Sequence, residues 1–170
     1  MNYETTRELE IALSRYFGIQ KNIIVPNVTR SSMLMHYEMD LCILSWKGRY
    51  ATEVEIKISK SDLKADTKKW HHHSYDFNYN RIKYLWFAMP ECLKGNEEII
   101  PPHAGILYVD KYGRINVHRK SISNKNARKW DDADSLRLAR LSTLRVWSLK
   151  EKMMTGKSNS LYTDERIATK

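Results

Sequence analysis

Apolar positions along the chain change their period several times, and each change marks an element. Leu9, Ala12, Leu13, Tyr16 and Phe17 recur at helical spacing and form one apolar face. Thr5 and Glu8 stand at capping-box spacing ahead of that face, and Gly18 follows it as a left-handed stop. Ile23, Ile24 and Val25 form a β-branched run that Pro26 is expected to end, which suits an edge strand. Residues 36–46 and 49–58 both read as strands, with Lys47-Gly48 between them as a tight turn whose glycine supplies a positive φ.

Ser59 and Ser61 can cap a helix running to about Tyr75. Arg81 to Met89 is a buried strand halted by Pro90, and Cys92 to Pro102 reads as loop. Ala104 to Val109, the turn Asp110-Lys111-Tyr112-Gly113, and Arg114 to Val117 form a second hairpin. Asp131, Asp132 and Asp134 open a long helix at its positive end, with Leu136, Leu138, Leu141, Leu144, Trp147 and Leu149 as a broad apolar side. Trp70, Trp86 and Trp147 are assigned to the core. Trp46 and Trp130 are left open between packing and stacking on a base. Such an order predicts an α/β protein with a mixed sheet flanked by helices. Residues 1–154 are expected to form one domain, with a polar tail over 155–170.

Composition narrows the class. The 170 residues are 42% hydrophobic and 29% charged, an ordinary globular balance. No apolar run reaches the roughly 18–20 residues of a membrane span, and Met1 to Thr5 lacks a basic region followed by an apolar stretch. A cytoplasmic protein with no membrane partner is expected. Cys42 and Cys92 lie far apart in no zinc-like spacing, and are expected to be reduced, buried thiols. A formal charge of +9 favours a polyanionic partner. No P-loop, GxGxxG or GxSxG motif is present, so nucleotide hydrolysis, dinucleotide chemistry and serine-hydrolase chemistry have no motif support.

The chemistry concentrates in Glu38-Met39-Asp40 and Glu53-Val54-Glu55-Ile56-Lys57. Alternation along a strand sets Glu53, Glu55 and Lys57 on one face. A loop centred on Lys47-Gly48 makes Asp40 face Glu55, and Glu38 face Lys57. Opposed carboxylates repel unless a cation sits between them. Hard oxygen donors with no thiolate or imidazole in the pair suit Mg²⁺ or Mn²⁺. Lys57 could stabilise charge on a phosphoryl group or orient a water. The competing reading is a solvated edge strand carrying alternating Glu and Lys.

Asp40 on one strand, then Glu55-x-Lys57 on the next, with helices before and after, resembles the PD-(D/E)XK nuclease superfamily, with Met39 where the usual proline stands. The stretch from Glu53 to Trp70, with Tyr75, Arg81, Tyr84 to Pro90 and Pro102 to Leu107, is similar to the MmcB-like branch associated with DNA repair. The resemblance covers roughly residues 33–120. It implies a restriction-endonuclease-like fold: an αβββαβ core to which this chain adds a hairpin and a C-terminal helix. It further implies DNA as partner, Mg²⁺ or Mn²⁺ as cofactor, and phosphodiester hydrolysis with Asp40, Glu55 and Lys57 as catalytic residues. Asp40 and Glu55 are the metal ligands, and Glu8 is a candidate third. Lys64, Lys68, Lys69 and Arg81 are candidate phosphate contacts. A DNA-binding module that keeps the fold without cutting is the alternative.

Three consecutive histidines, His71, His72 and His73, point about 100° apart on a helix and cannot converge on one ion, so a basic surface is expected there. Lys125, Arg128, Lys129, Arg137, Arg140 and Arg145 make the C-terminal third basic, either as a solvated helix face or as a DNA contact.

Overall fold

In a computed structural model, which describes residues 6–29, 32, 34–35, 37–65 and 80–155, the apolar periods fold into one six-stranded sheet with helices on both faces. The elements are α1 (Thr6–Tyr16), β1 (Asn22–Val28), β2 (Met39–Ser45), β3 (Ala51–Ile56), α2 (Lys60–Ala65), β4 (Ile82–Pro90), β5 (Gly105–Val109), β6 (Ile115–Arg119) and α3 (Asp132–Thr155). Two 3₁₀ turns, Glu91–Leu93 and Glu97–Ile99, join β4 to β5. The strands lie side by side in chain order. β1, β2 and β3 run antiparallel, β3, β4 and β5 are parallel, and β6 returns antiparallel.

Side-chain alternation divides the sheet between two cores. One face carries Ile24, Leu41, Ile43, Val54, Ile56, Ala88, Leu107 and Val109, covered by Leu9, Ala12 and Leu13 of α1. The other face holds two separate clusters. Val25, Cys42, Leu44 and Ile82 pack with Trp130, Leu138 and Leu141 at the β1–β2 side. Leu85, Phe87, Met89, Ile106 and Tyr108 pack with Leu63 of α2 at the β4–β5 side. Between those clusters runs β3.

Capping chemistry fixes the helix ends. Gly18 takes φ +73° and closes α1, with the Ile19 amide donating to Ser14 O at 2.9 Å. Ser59 Oγ accepts the Asp62 amide at 3.1 Å, which makes Ser59 the cap of α2. Asp131 Oδ1 accepts the Asp134 amide at 2.7 Å and caps α3. Thr5, the remainder of the expected α2 helix to Tyr75, and residues 156–170 lie outside the described residues.

Several expectations are corrected. Pro26 does not end β1: it pairs with Leu41, and the strand continues to Val28 through Asn27 at φ +53°. Proline is tolerated there because β1 is an edge strand. In the β2–β3 loop the left-handed residue is Arg49, at φ +54°, and not Gly48. Gly48 instead donates its amide to Ser45 Oγ at 3.2 Å. Cys92 is exposed rather than buried. On α3 only Leu138 and Leu141 of the expected apolar side are buried, while Leu136, Trp147 and Leu149 face solvent. Trp130 is the core tryptophan, its indole donating to Arg81 O at 2.8 Å. No helix among the described residues is long and apolar enough to cross a membrane.

Candidate active site

Two features of the sheet create the site. β3 is an interior strand, so Glu53, Glu55 and Lys57 cannot be the solvated rim of an edge. They are 0%, 1% and 2% exposed, which overturns the solvated-strand alternative. The β2–β3 ladder also stops early. Its last pair is Leu41 with Val54, although β2 begins at Met39 and β3 runs to Ile56. Where the backbones part, the Asp40 side chain takes over: Asp40 Oδ2 accepts the Ile56 amide at 2.8 Å. The observed pairs extrapolate to Asp40 opposite Glu55, as the loop register predicts.

Lys57 ties the acids together. Its Nζ donates to Glu55 Oε2 at 2.8 Å and lies 4.0 Å from Asp40 Oδ2. Its backbone amide donates to Ala88 O at 3.0 Å, extending the β3–β4 ladder one residue past the strand and fixing the side chain's direction. The Phe87 ring centroid is 6.0 Å from Nζ. Asp40 keeps 40% of its side chain exposed, so the group opens to solvent on its Asp40 side and is sealed on its Glu55 side. One residue back on the same face, Glu53 Oε2 accepts the Tyr37 hydroxyl at 2.8 Å. Burial, then the Glu53 charge, push the Tyr37 phenol well above its ordinary value, so it stays a donor.

A buried ion pair between two apolar clusters is costly to desolvate and often no more stabilising than apolar residues of the same volume. The acids and Lys57 are therefore better explained by chemistry than by stability. The donor set fits a hydrated hard cation. Mg²⁺ is commonly held by one or two carboxylates and keeps several waters. Asp40 and Glu55 both lie against the Lys57 ammonium, at 4.0 and 2.8 Å. Glu8 is exposed on α1, and among the described residues no group of three or more His, Cys, Asp or Glu is placed to hold a metal.

The other sequence-predicted residues separate. Lys64 is exposed on α2. Arg81 forms a 2.6 Å ion pair with Asp134, and its guanidinium carbon lies 4.9 Å from the Trp130 ring centroid, so it serves to dock α3 on the sheet. Glu38 is exposed, in line with a solvated role. Lys68, Lys69, Trp70 and His71 to His73 lie outside the described residues. Tyr37 and Glu53 adjoin the site, Glu53 having been set on the shared face by alternation without a role assigned to it, and Tyr37 not having been singled out. Glu53 shares the alternation of Glu55, which was the available signal. Tyr37 lies in an irregular segment ahead of β2, where no periodicity points to it.

No family model matches the chain, and no curated protein matches it. Among solved structures it is similar to a protein of unknown function from Silicibacter pomeroyi. The TM-score is 0.62, over 96% of this chain and 100% of that one, at 16% identity. At that identity the likeness is one of fold.

Proposed function

We propose that this protein is a metal-dependent DNA nuclease of the PD-(D/E)XK type, acting in DNA repair or processing. The carrying observation is the placement of Lys57 Nζ, 2.8 Å from Glu55 Oε2 and 4.0 Å from Asp40 Oδ2, at the point where β2 and β3 part. The element order α1-β1-β2-β3-α2-β4, followed by a hairpin and α3, supports a restriction-endonuclease-like core. The resemblance of Glu53 to Pro90 to the MmcB-like branch supports the same reading. The formal charge of +9 supports a phosphate-rich partner.

Asp40 and Glu55 would hold Mg²⁺ or Mn²⁺, which supplies Lewis-acid polarisation of a phosphodiester and a more acidic water. Asp40, held by the Ile56 amide, keeps its orientation without a ligand. Glu55, buried beneath it, has little freedom to turn to solvent. Lys57 offsets one of the two negative charges at rest and offers an ammonium to the charge that grows on the phosphoryl oxygens. The low-dielectric walls from Phe87 and the flanking apolar clusters strengthen that interaction.

The test uses purified protein with single-stranded, duplex and branched DNA, in Mg²⁺ and in Mn²⁺. Cleavage is expected from the wild type. Glu55→Gln and Lys57→Ala are expected to lose about 10²–10³-fold or more in rate while still binding DNA in EDTA. If the wild type binds DNA and cuts none of the three forms, the protein is a binding module instead. Equal rates in wild type and Glu55→Gln would place any activity elsewhere.

A further inference from the structure

At the far end of the β2–β3 hairpin from Asp40, the loop residues Trp46 and Lys47 face the start of β1. A cleft of about 690 Å³ opens there, lined by Gln20, Lys21, Asn22, Ile23, Ser45, Trp46 and Lys47. That volume is within the range of small-molecule sites. Trp46 is 71% exposed, an unusual cost for an indole that buries nothing else. The cleft's polar lining is basic, amide or hydroxyl, with no carboxylate in it.

The surface beyond the loop continues the same chemistry. Lys83 Nζ and Lys129 Nζ lie 4.8 and 5.8 Å from the centroid of the Tyr50 ring. Two ammonium groups on one ring repel each other. None of Lys21, Lys47, Lys83 and Lys129 forms an ion pair with a described residue. Four lysines without an ion pair to a described residue, with one open aromatic face, are the components of a single-strand site: lysines track the phosphates and the ring stacks on a base whatever its identity.

We propose that the Trp46 cleft binds an unstacked nucleobase of single-stranded DNA, with Lys21 and Lys47 on its flanking phosphates and Lys83 and Lys129 continuing the strand's path. The inference takes DNA as the partner, as the proposed function does, and adds single-strandedness and a second contact point. Asp40 and Trp46 stand at opposite ends of β2, roughly 20 Å apart at strand rise, so the base held in the cleft is not the one beside the acids. About six nucleotides of stacked strand cover that span.

The experiment measures binding by the full-length protein in EDTA, by fluorescence anisotropy. The probes are a labelled twelve-residue oligothymidylate, an abasic oligomer of the same length and charge, and a blunt duplex. Trp46→Ala is expected to weaken oligothymidylate binding about 5- to 100-fold, with Trp46→Phe restoring most of it. Wild type should bind the abasic oligomer as weakly as Trp46→Ala does, and duplex binding should not respond to Trp46. Lys21→Ala and Lys47→Ala should each lower the salt slope by about 1. The proposal is overturned if Trp46→Ala binds oligothymidylate like wild type, or if wild type binds abasic and base-bearing strands equally. Trp46 is exposed, so an unchanged melting temperature is expected and excludes misfolding as the cause. Cleavage in Mg²⁺ is scored separately. A Trp46 effect without any cleavage leaves this site standing and removes the nuclease reading. Cleavage that depends on Glu55 with no Trp46 effect does the reverse.

Discussion

Asp40 Oδ2 takes the Ile56 amide at 2.8 Å at the place where β2 and β3 cease to pair through their backbones. One carboxylate thus closes a ladder and borders the acidic site. The two roles separate by substitution. Asp40→Asn keeps an oxygen for the Ile56 amide, whereas Asp40→Ala leaves that amide without its acceptor. Urea denaturation is expected to show Asp40→Ala destabilised by about 1–3 kcal/mol and Asp40→Asn much less. Cleavage is expected to fall about 10²–10³-fold in both. An Asn variant that cuts at the wild-type rate would remove Asp40 from the chemistry.

The buried pair Glu55–Lys57 should behave as a unit. Lys57→Met takes away the ammonium 2.8 Å from a carboxylate that is 1% exposed, at a cost of about 3–5 kcal/mol. Glu55→Gln with Lys57→Met removes both charges and should recover most of that loss. A double-mutant cycle from denaturation midpoints measures the coupling. Additive single costs would mean that the two side chains do not depend on one another.

Gly105 is expected to tolerate no side chain. A Cβ there would stand 2.2 Å from Trp86 Cε3 and 2.7 Å from the Ser121 amide nitrogen. Gly105→Ala must therefore displace a tryptophan and a backbone segment together. A loss of about 1–3 kcal/mol or more is expected, read as a lower melting temperature. An unchanged melting temperature would show that β4 and β5 adjust freely.

Thiol chemistry should divide the two cysteines. Cys92 is exposed and should react with Ellman's reagent in the folded protein, while Cys42 should react only on unfolding. Burial pushes the Cys42 thiol far up, the Glu53 carboxylate adds to this, and Arg81 opposes it. Because the folded thiol holds its proton longer than the unfolded one, stability is fully present below about pH 8.5 and falls as pH rises above it. In Cys42→Ala that alkaline decline should begin later, near the tyrosine range of about pH 10, where Tyr37 takes over. Two fast-reacting thiols at neutral pH would contradict the burial of Cys42.

What was legible in the sequence was local. The β2–β3 register followed from loop length, since the numbering of facing residues is set by the turn, and the observed pairs extrapolate to Asp40 opposite Glu55. The burial of Glu55 and Lys57 was not legible, because an interior strand and an edge strand can carry the same alternation. Only the parallel partner β4 decides between them. The pairing of Arg81 with Asp134 was not legible either, because its partner is 53 residues away in the chain. Trp147, assigned to the core, is exposed, and Trp130, left open, is buried. Trp147 fits the helical apolar pattern of α3, but it lies on a part of the helix surface that no other described residue buries. Trp130, before the helix begins, is drawn under it by the bond from its indole to Arg81 O.

The sequential strand order has a consequence for how the protein comes into being. Every pairing in the sheet joins strands that are neighbours in the chain, so the sheet itself can assemble strand by strand in chain order. As the polypeptide leaves the ribosome from its N-terminus, β1, β2 and β3 can close as a meander before β4 exists. Asp40, Glu55 and Lys57 all fall within that first piece. The register of Asp40 against Glu55 is thus set early by a local hairpin, while the direction of Lys57 and the shelter of all three from water arrive later with the first parallel strand. A nascent chain arrested before Ile82 would carry the two acids already opposed, yet still open to solvent.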